Sequence, residues 1–289
     1  MLASFSQLLT QGRPLLGFTC YDLETGAAVV SAAERRGAPV VLLVSARSLT
    51  TQTGVALVGG LADLLGAAEV PGCVELDHLH QIGARERAAL TAGARAAMVD
   101  LSMRPGEENL AGTTEAVQIG KPLGVDIEGE LGRLEGNEDK AHEGTCGTSF
   151  TDVTEAVEFA SATGVTCLAV AVGNRHGRYE EVPVLDFQLL SHLASAVGVP
   201  IALHGCSGMT ESDLRTAMDC GVAKMNFNTE LRAAYFGALH NGLGPATPAL
   251  DLLGLKQDVT EAVAAAAGRL LDSVGWTSGR SASTAVGYR

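Results

Sequence analysis

Little in this 289-residue chain is aromatic or basic. Phe, Trp and Tyr make up 4%, lysine occurs only at Lys121, Lys140, Lys224 and Lys256, and 20 basic residues face 33 acidic ones, for a formal net charge of −13. That surplus of negative charge excludes nucleic acid and an anionic membrane surface as partners. It leaves a phosphorylated small molecule open, because a metal ion and backbone N–H groups can outweigh the global field locally. No apolar run approaches the roughly 20 residues that cross a bilayer. The first residues lack a basic segment followed by an apolar core, so the expectation is no membrane partner and a cytoplasmic setting. Six cysteines (Cys20, Cys73, Cys146, Cys167, Cys206, Cys220) show no paired spacing. Several fall inside apolar runs, as buried reduced thiols do.

What the chain does have is an aliphatic core, with 46% hydrophobic residues. Strand-like segments at 14–20, 39–45, 72–77, 95–100, 121–128, 165–171, 199–204 and 222–227 are apolar without alternation, which suits parallel strands buried on both faces. Helix-like stretches at 22–36, 56–67, 81–92, 107–119, 152–162, 185–196 and 210–219 separate them. Glycine marks many of the helix-to-strand returns (Gly37, Gly93, Gly120, Gly164, Gly198, Gly221). Eight β/α units predict an α/β fold, a (β/α)8 TIM barrel. No composition break divides residues 1–289, so a single barrel domain is expected. Two segments depart from the repeat. Residues 131–150, with Gly132, Gly136, Gly144 and Gly147, read as an active-site lid loop. Residues 241–289 read as a C-terminal helical extension, with an Ala-rich helix at 258–274 and a mobile tail.

Three histidines follow predicted strands: His78 after 73–77, His176 after 167–172 and His204 after 200–203. Strand C-terminal ends line one mouth of a barrel, where chemistry is placed. Three imidazoles converging there with an open fourth position make the plan of a catalytic zinc site. His80 is a rival ligand, since His78-Leu79-His80 is a His-x-His pair as in barrel metallohydrolases, but it falls where the third helix should begin.

The strand-end motifs occur in a fixed order: Leu76-Asp77-His78, Glu128-Gly129-Glu130-Leu131-Gly132, Gly136-Asn137-Glu138-Asp139, Val172-Gly173-Asn174-Arg175-His176-Gly177, Leu203-His204-Gly205-Cys206-Ser207-Gly208 and Asn226-Phe227-Asn228-Thr229-Glu230-Leu231-Arg232. Together they resemble the class II, zinc-dependent fructose-bisphosphate and tagatose-bisphosphate aldolases, from about residue 14 to residue 235. The resemblance implies zinc on His78, His176 and His204, with cobalt or iron as chemical alternatives. It implies proton transfer by Asp77 at the aldehyde-derived oxygen and by Glu138 of the lid at carbon. In some members a second monovalent or divalent cation is held at positions matching Asp100 and Glu130. Substrate contacts would fall on Gly177, Gly205, Ser207, Asn226, Asn228 and Thr229, with Ser45 also at the mouth. A small sugar or sugar phosphate and a homodimer or homotetramer are the implied partners.

Carbon–carbon cleavage beside a carbonyl needs a lysine Schiff base or a metal to delocalise the carbanion. Lys224, in the eighth strand, keeps the lysine route open at this point. The departures from the family lie around the substrate. Thr19 and Asp22 stand where two asparagines are usual, Glu180 where a phosphate-binding lysine is common, Asn228 where Asp is frequent, Leu101 within Asp-Gly-Ser, and Cys206 within His-Gly-Gly-Ser. Arg175, Arg178 and Arg47 are the replacement cations for a phosphate. These changes point to a ketose or related hydroxycarbonyl other than fructose 1,6-bisphosphate. Two other readings stand beside the aldolase: a metallohydrolase using His78 and His80, which lacks a strand-eight Asp as base, and a catalytically impaired metal-containing sugar-phosphate binder.

Overall fold

The structure, a computed structural model, describes residues 1–133, 149–175, 184–243 and 251–277. Eight parallel strands close into a barrel: β1 (Leu15–Thr19), β2 (Val40–Ser45), β3 (Gly72–Leu79), β4 (Ala96–Val99), β5 (Asp126–Leu131), β6 (Cys167–Val170), β7 (Ile201–Leu203) and β8 (Val222–Phe227), with β8 pairing back onto β1. Around and below them run α1 (Phe5–Leu8), α2 (Leu23–Glu34), α3 (Ala46–Leu49), α4 (Gly54–Ala67), α5 (Ala84–Ala92), α6 (Gly106–Gly120), α7 (Val153–Thr163), α8 (Phe187–Ala196), α9 (Glu211–Asp219), α10 (Thr229–Gly242) and α11 (Leu252–Ser273). This is the expected (β/α)8 TIM barrel with C-terminal helices. Every residue of β1 and β2 is buried, because their inner faces meet the barrel interior and their outer faces the helices.

Four details differ from the sequence expectation. The segment 121–123 is a 3-10 turn rather than strand. Pro122 suits its first positions and Gly124 ends it at φ 65°, so β5 starts only at Asp126. The eighth helix, α10, was hidden behind the motif at its start; Glu230 in its first turn suits the positive end of the helix dipole. The Ala-rich helix begins at Leu252, six residues early, because Asp251 caps it by accepting from Gly254 N. Its apolar face, with Val259, Val263, Ala267 and Leu271, packs on the chain's own α2 and α10, anchored by a bidentate Arg36–Asp272 pair at 2.9 and 2.7 Å. That accounts for the helix's apolar face within the chain itself.

The short α1 closes the N-terminal end of the barrel. Ser4 and Gln7 form its capping box, and Phe5 and Leu8 enter an interior cluster with Leu15, Val41, Leu43, Cys73, Met98 and Cys167. Among the described residues no helix is long and apolar enough to cross a membrane.

Candidate active site

Period-two alternation brings Cys73, Glu75 and Asp77 of β3 to the inside in turn. The strand then breaks its pattern. His78 has φ 51°, the one non-glycine residue at positive φ among those described, and the β3–β4 register shifts between Leu76 and Leu79. Such a conformation is uncommon outside glycine and clusters at functional sites. The shift leaves His78 at the mouth, its side chain 17% exposed, beside buried Asp77, whose carboxylate lies 4.0 Å from His78 Nε2. His80, past the strand end, points its Nδ1 to the Asp100 carbonyl at 3.1 Å. It stands outside the His78 cluster, so the His-x-His hydrolase site does not form.

His78 Nδ1 lies 3.1 Å from Asp100 Oδ2 and 3.8 Å from Glu130 Oε2. Burial raises the Asp100 carboxyl, but the His78 hydrogen bond and charge and two Ser102 donors outweigh it, and the net shift is well downward. An ionised carboxylate only accepts, so His78 donates from Nδ1 to Asp100 and turns its Nε2 toward His204. His204, fully buried, is the mirror case. Its Nε2 is 2.7 Å from Glu128 Oε1, and Glu128 drops to about 2: burial raises it, while the Lys224 charge and the His204 hydrogen bond prevail. Nε2 therefore donates to Glu128, and Nδ1 turns toward His78. Burial chiefly, against the pull of Glu128, lowers the His204 ring to about 4, so it is neutral near pH 7. His204 Nδ1 and His78 Nε2 face each other within hydrogen-bond distance, at 3.2 Å, with the rings at 83°.

That spacing also suits one metal ion held by both rings. Two nitrogens each 2.0–2.1 Å from a tetrahedral ion lie about 3.3 Å apart. The donor set fits zinc. Asp77, His78 and His204 form one group able to hold an ion, and His78, Asp100 and Glu130 another. The third expected ligand, His176, lies outside the described residues, as do Gly177, Arg178, Glu180, Glu138 and most of the expected lid loop 131–150.

Lys224 lies fully buried below this pair, 2.7 Å from Glu75 Oε2 and 2.8 Å from Glu128 Oε2. Burial disfavours its charge, but Glu128 and Glu75 outweigh that and raise its pKa. An amine held as ammonium has no lone pair for a Schiff base, so the lysine route loses its candidate. Glu75 is pushed up to about 7 by burial and by Glu128, with Lys224 opposing.

The remaining expected contacts ring the mouth. Gly205 has φ 65°, and a Cβ there would collide with the Arg175 carbonyl, so only glycine lets these two loops meet. Ser207 Oγ accepts from the Asn228 and Thr229 N–H groups at 3.3 and 3.2 Å and donates to Glu230 at 2.6 Å. Asn226 reaches the His204 ring at 3.3 Å, and Asn228 donates to Tyr21 at 2.9 Å. Ser45 caps α3, and Arg175 is exposed at the end of β6. Thr19, Asp22 and Arg47 line a cleft of about 420 Å³ with Arg232, Tyr235 and Phe236. There Asp22 is a helix cap: it accepts from Thr25 N and Oγ1 and from Tyr235.

Sequence reading missed Glu75, Glu128, Asn174 and Glu230 as working residues. Asn174 is fully buried and donates to the His204 carbonyl at 2.9 Å. A charged residue inside an apolar strand, as at Glu75 and Glu128, was the available clue.

A polar cluster at the C-terminal mouth of a closed barrel defines a TIM-barrel enzyme. Residues 3–278 match the model of the family described as fructose-bisphosphate aldolase class II, and the chain belongs to that family of carbon–carbon lyases. The Escherichia coli K12 protein YdjI is 34% identical over 247 residues, 85% of this chain and 86% of YdjI. The crystal structure of the YdjI aldolase superposes with a TM-score of 0.84 at 30% identity, covering 96% of this chain and 99% of that one. A Coccidioides immitis protein, provisionally named a fructose-1,6-biphosphate aldolase, gives 0.84 at 30% identity over 95% of each chain. Campylobacter jejuni fructose-bisphosphate aldolase agrees in fold alone, with 0.77 at 19% identity over 95% of this chain and 96% of that one.

Proposed function

We propose that this lyase is a divalent-metal aldolase using His78 and His204, with His176, as zinc ligands. The carrying observation is the 3.2 Å approach of two imidazole nitrogens whose other nitrogens are committed to carboxylates. Bound zinc, or cobalt or iron in its place, supplies Lewis acidity toward a carbonyl and the hydroxyl beside it. The residues of the chain do the rest. Asp77 moves the proton at the oxygen made or consumed in cleavage. Glu138 handles the proton at carbon, and the 131–150 loop excludes water from the carbanion when it closes. Asp100 and Glu130 orient His78; a second cation there would compete with His78 Nδ1 for Asp100 Oδ2. Ser207, Gly205, Gly177, Asn226, Asn228 and Thr229, with Ser45, Arg175 and Arg178, hold the ketose end.

The substrate is a sugar or sugar phosphate other than fructose 1,6-bisphosphate. Glu180 stands where a phosphate-binding lysine is common, and Thr19 and Asp22 replace two amides beside the cleft. The protein acts as one barrel domain, in a homodimer or homotetramer. Exposed Phe236, Leu243, Leu252 and Leu253 around the α10–α11 connection support the assembly, since they are 63–80% exposed apolar residues in one stretch of chain.

The test is exchange of the carbon-bound proton of dihydroxyacetone phosphate and of dihydroxyacetone by metal-stripped and zinc-reloaded protein. Exchange that disappears on stripping and returns with zinc is the expected result. Equal exchange by the stripped protein would overturn the metal reading.

A further inference from the structure

The barrel interior holds a charged array between its apolar floor and its mouth. Glu75 of β3, Glu128 of β5 and Lys224 of β8 are all 0% exposed. They come from three different strands, with Lys224 bridging the two carboxylates at 2.7 and 2.8 Å. Its ammonium also lies 5.3 Å over the ring of Phe5, the residue that plugs the floor. Lys224 is thus clamped from two sides by anions and from below by an aromatic face. Glu128 then turns its second oxygen to His204 Nε2 at 2.7 Å.

A buried ion pair of this kind adds little to stability, since desolvation offsets the attraction. Its retention needs another reason, and the direction of Glu128 supplies one. A carboxylate free to rotate could offer His204 either oxygen or none. With Oε2 on Lys224, Oε1 has one place to go, and the His204 ring is fixed in both orientation and tautomer. Carboxylates behind metal-binding histidines act in this way. Here the carboxylate has its own support, and that support is anchored on the opposite strand by Glu75.

We propose that Lys224 is a positioning residue for His204, acting through Glu128, and that Glu75 serves to keep Lys224 below the mouth. This rests on the reading of His204 as a metal ligand, and the test separates the two. The double variant Lys224→Met with Glu75→Gln removes the clamp and leaves the Glu128 carboxylate facing His204 alone, the net charge of the ionised array unchanged. Two measurements follow on the full-length chain. The first is the ¹⁵N imidazole spectrum of His204 in metal-free protein, which reports which nitrogen carries the proton. The second is Zn²⁺ affinity by chelator competition.

Wild type should show His204 protonated on Nε2 alone. The double variant should show a mixture of tautomers or the cation, and bind Zn²⁺ about 10–100-fold more weakly, the range for such outer partners. Turnover at saturating Zn²⁺ should recover most of the loss. An unchanged His204 spectrum with Zn²⁺ affinity within twofold of wild type, in a folded variant, overturns the proposal and makes the array a structural filler. If the double variant does not fold, Glu75→Gln, which releases Lys224 on one side and keeps its ion pair with Glu128, is put through the same two measurements with the same deciding outcomes. Failure of wild type to bind Zn²⁺ at all defeats the ligand reading instead, while the tautomer measurement still judges Lys224.

Discussion

The two ends of the barrel are made by the same strands and could hardly be less alike. Along β2 the inward residues run Val41, Leu43, Ser45; along β3, Cys73, Glu75, Asp77; along β8 and just past its end, Lys224, Asn226, Asn228. The floor is aliphatic and closed by Phe5. The mouth has broken register at β3–β4, a histidine at positive φ and several buried carboxylates. Burial is nearly equal at both ends, so burial is not what marks the working end. Polarity at equal burial does, because each buried charge must be matched by a partner or a ligand.

The contrast can be tested by moving one residue at each end. At the mouth, Asp77→Asn should cut cleavage by about 10²–10⁴-fold, the scale of general acid–base help, while the melting temperature holds or rises. Steady-state turnover at full zinc occupancy checks this, and wild-type turnover would reduce Asp77 to scaffolding. At the floor, Phe5→Ala should behave oppositely. Loss of a buried aromatic costs about 3–5 kcal/mol, read in urea unfolding, with turnover per folded molecule within tenfold of wild type. A variant of Phe5 that kept its stability but lost its activity would erase the distinction between the ends.

Smaller effects sharpen the mouth itself. Asp100→Asn should weaken zinc by about 10–100-fold through a less well held His78, measured by chelator competition. The smallest is a pH effect on the metal-free protein. The folded-state pKa of His204 is lowered from 6.5 to about 4, chiefly by burial. Its neutral form is favoured by folding, so this stability is fully present above pH 6.5 and is lost as pH falls through about 4. Urea midpoints of stripped wild type and His204→Asn, taken at pH 7.5 and pH 4.5, should converge toward the acid side. Parallel curves would show that His204 does not titrate in that window.

The barrel was legible because its strands are apolar on both faces, a pattern that a half-exposed sheet does not give. The places of His78 and His204 at the mouth were legible because each ends such a run, and that of Asp77 because it adjoins one. The β5 start was misjudged because Lys121-Pro122-Leu123 looks apolar enough for strand while proline and Gly124 make it a turn. The support of the site was harder to see. Glu75, Glu128 and Lys224 lie 53 and 96 positions apart along the chain (75 to 128, 128 to 224) and meet only when the ring is closed. No local pattern encodes that meeting. Asn174 was quoted within a motif, yet its task, holding the His204 carbonyl, depends on a neighbouring strand.

Phe5 precedes every strand in the sequence, yet its socket is built from β1, β2, β3, β4, β6 and β7. Its complete enclosure needs all six of those strands in place, so the full burial of that one ring reports that the circle has shut. Amide exchange at Leu8 and Leu9, whose N–H groups bond back to Ser4 and Phe5, becomes a clock for ring closure, readable without any probe at the catalytic end.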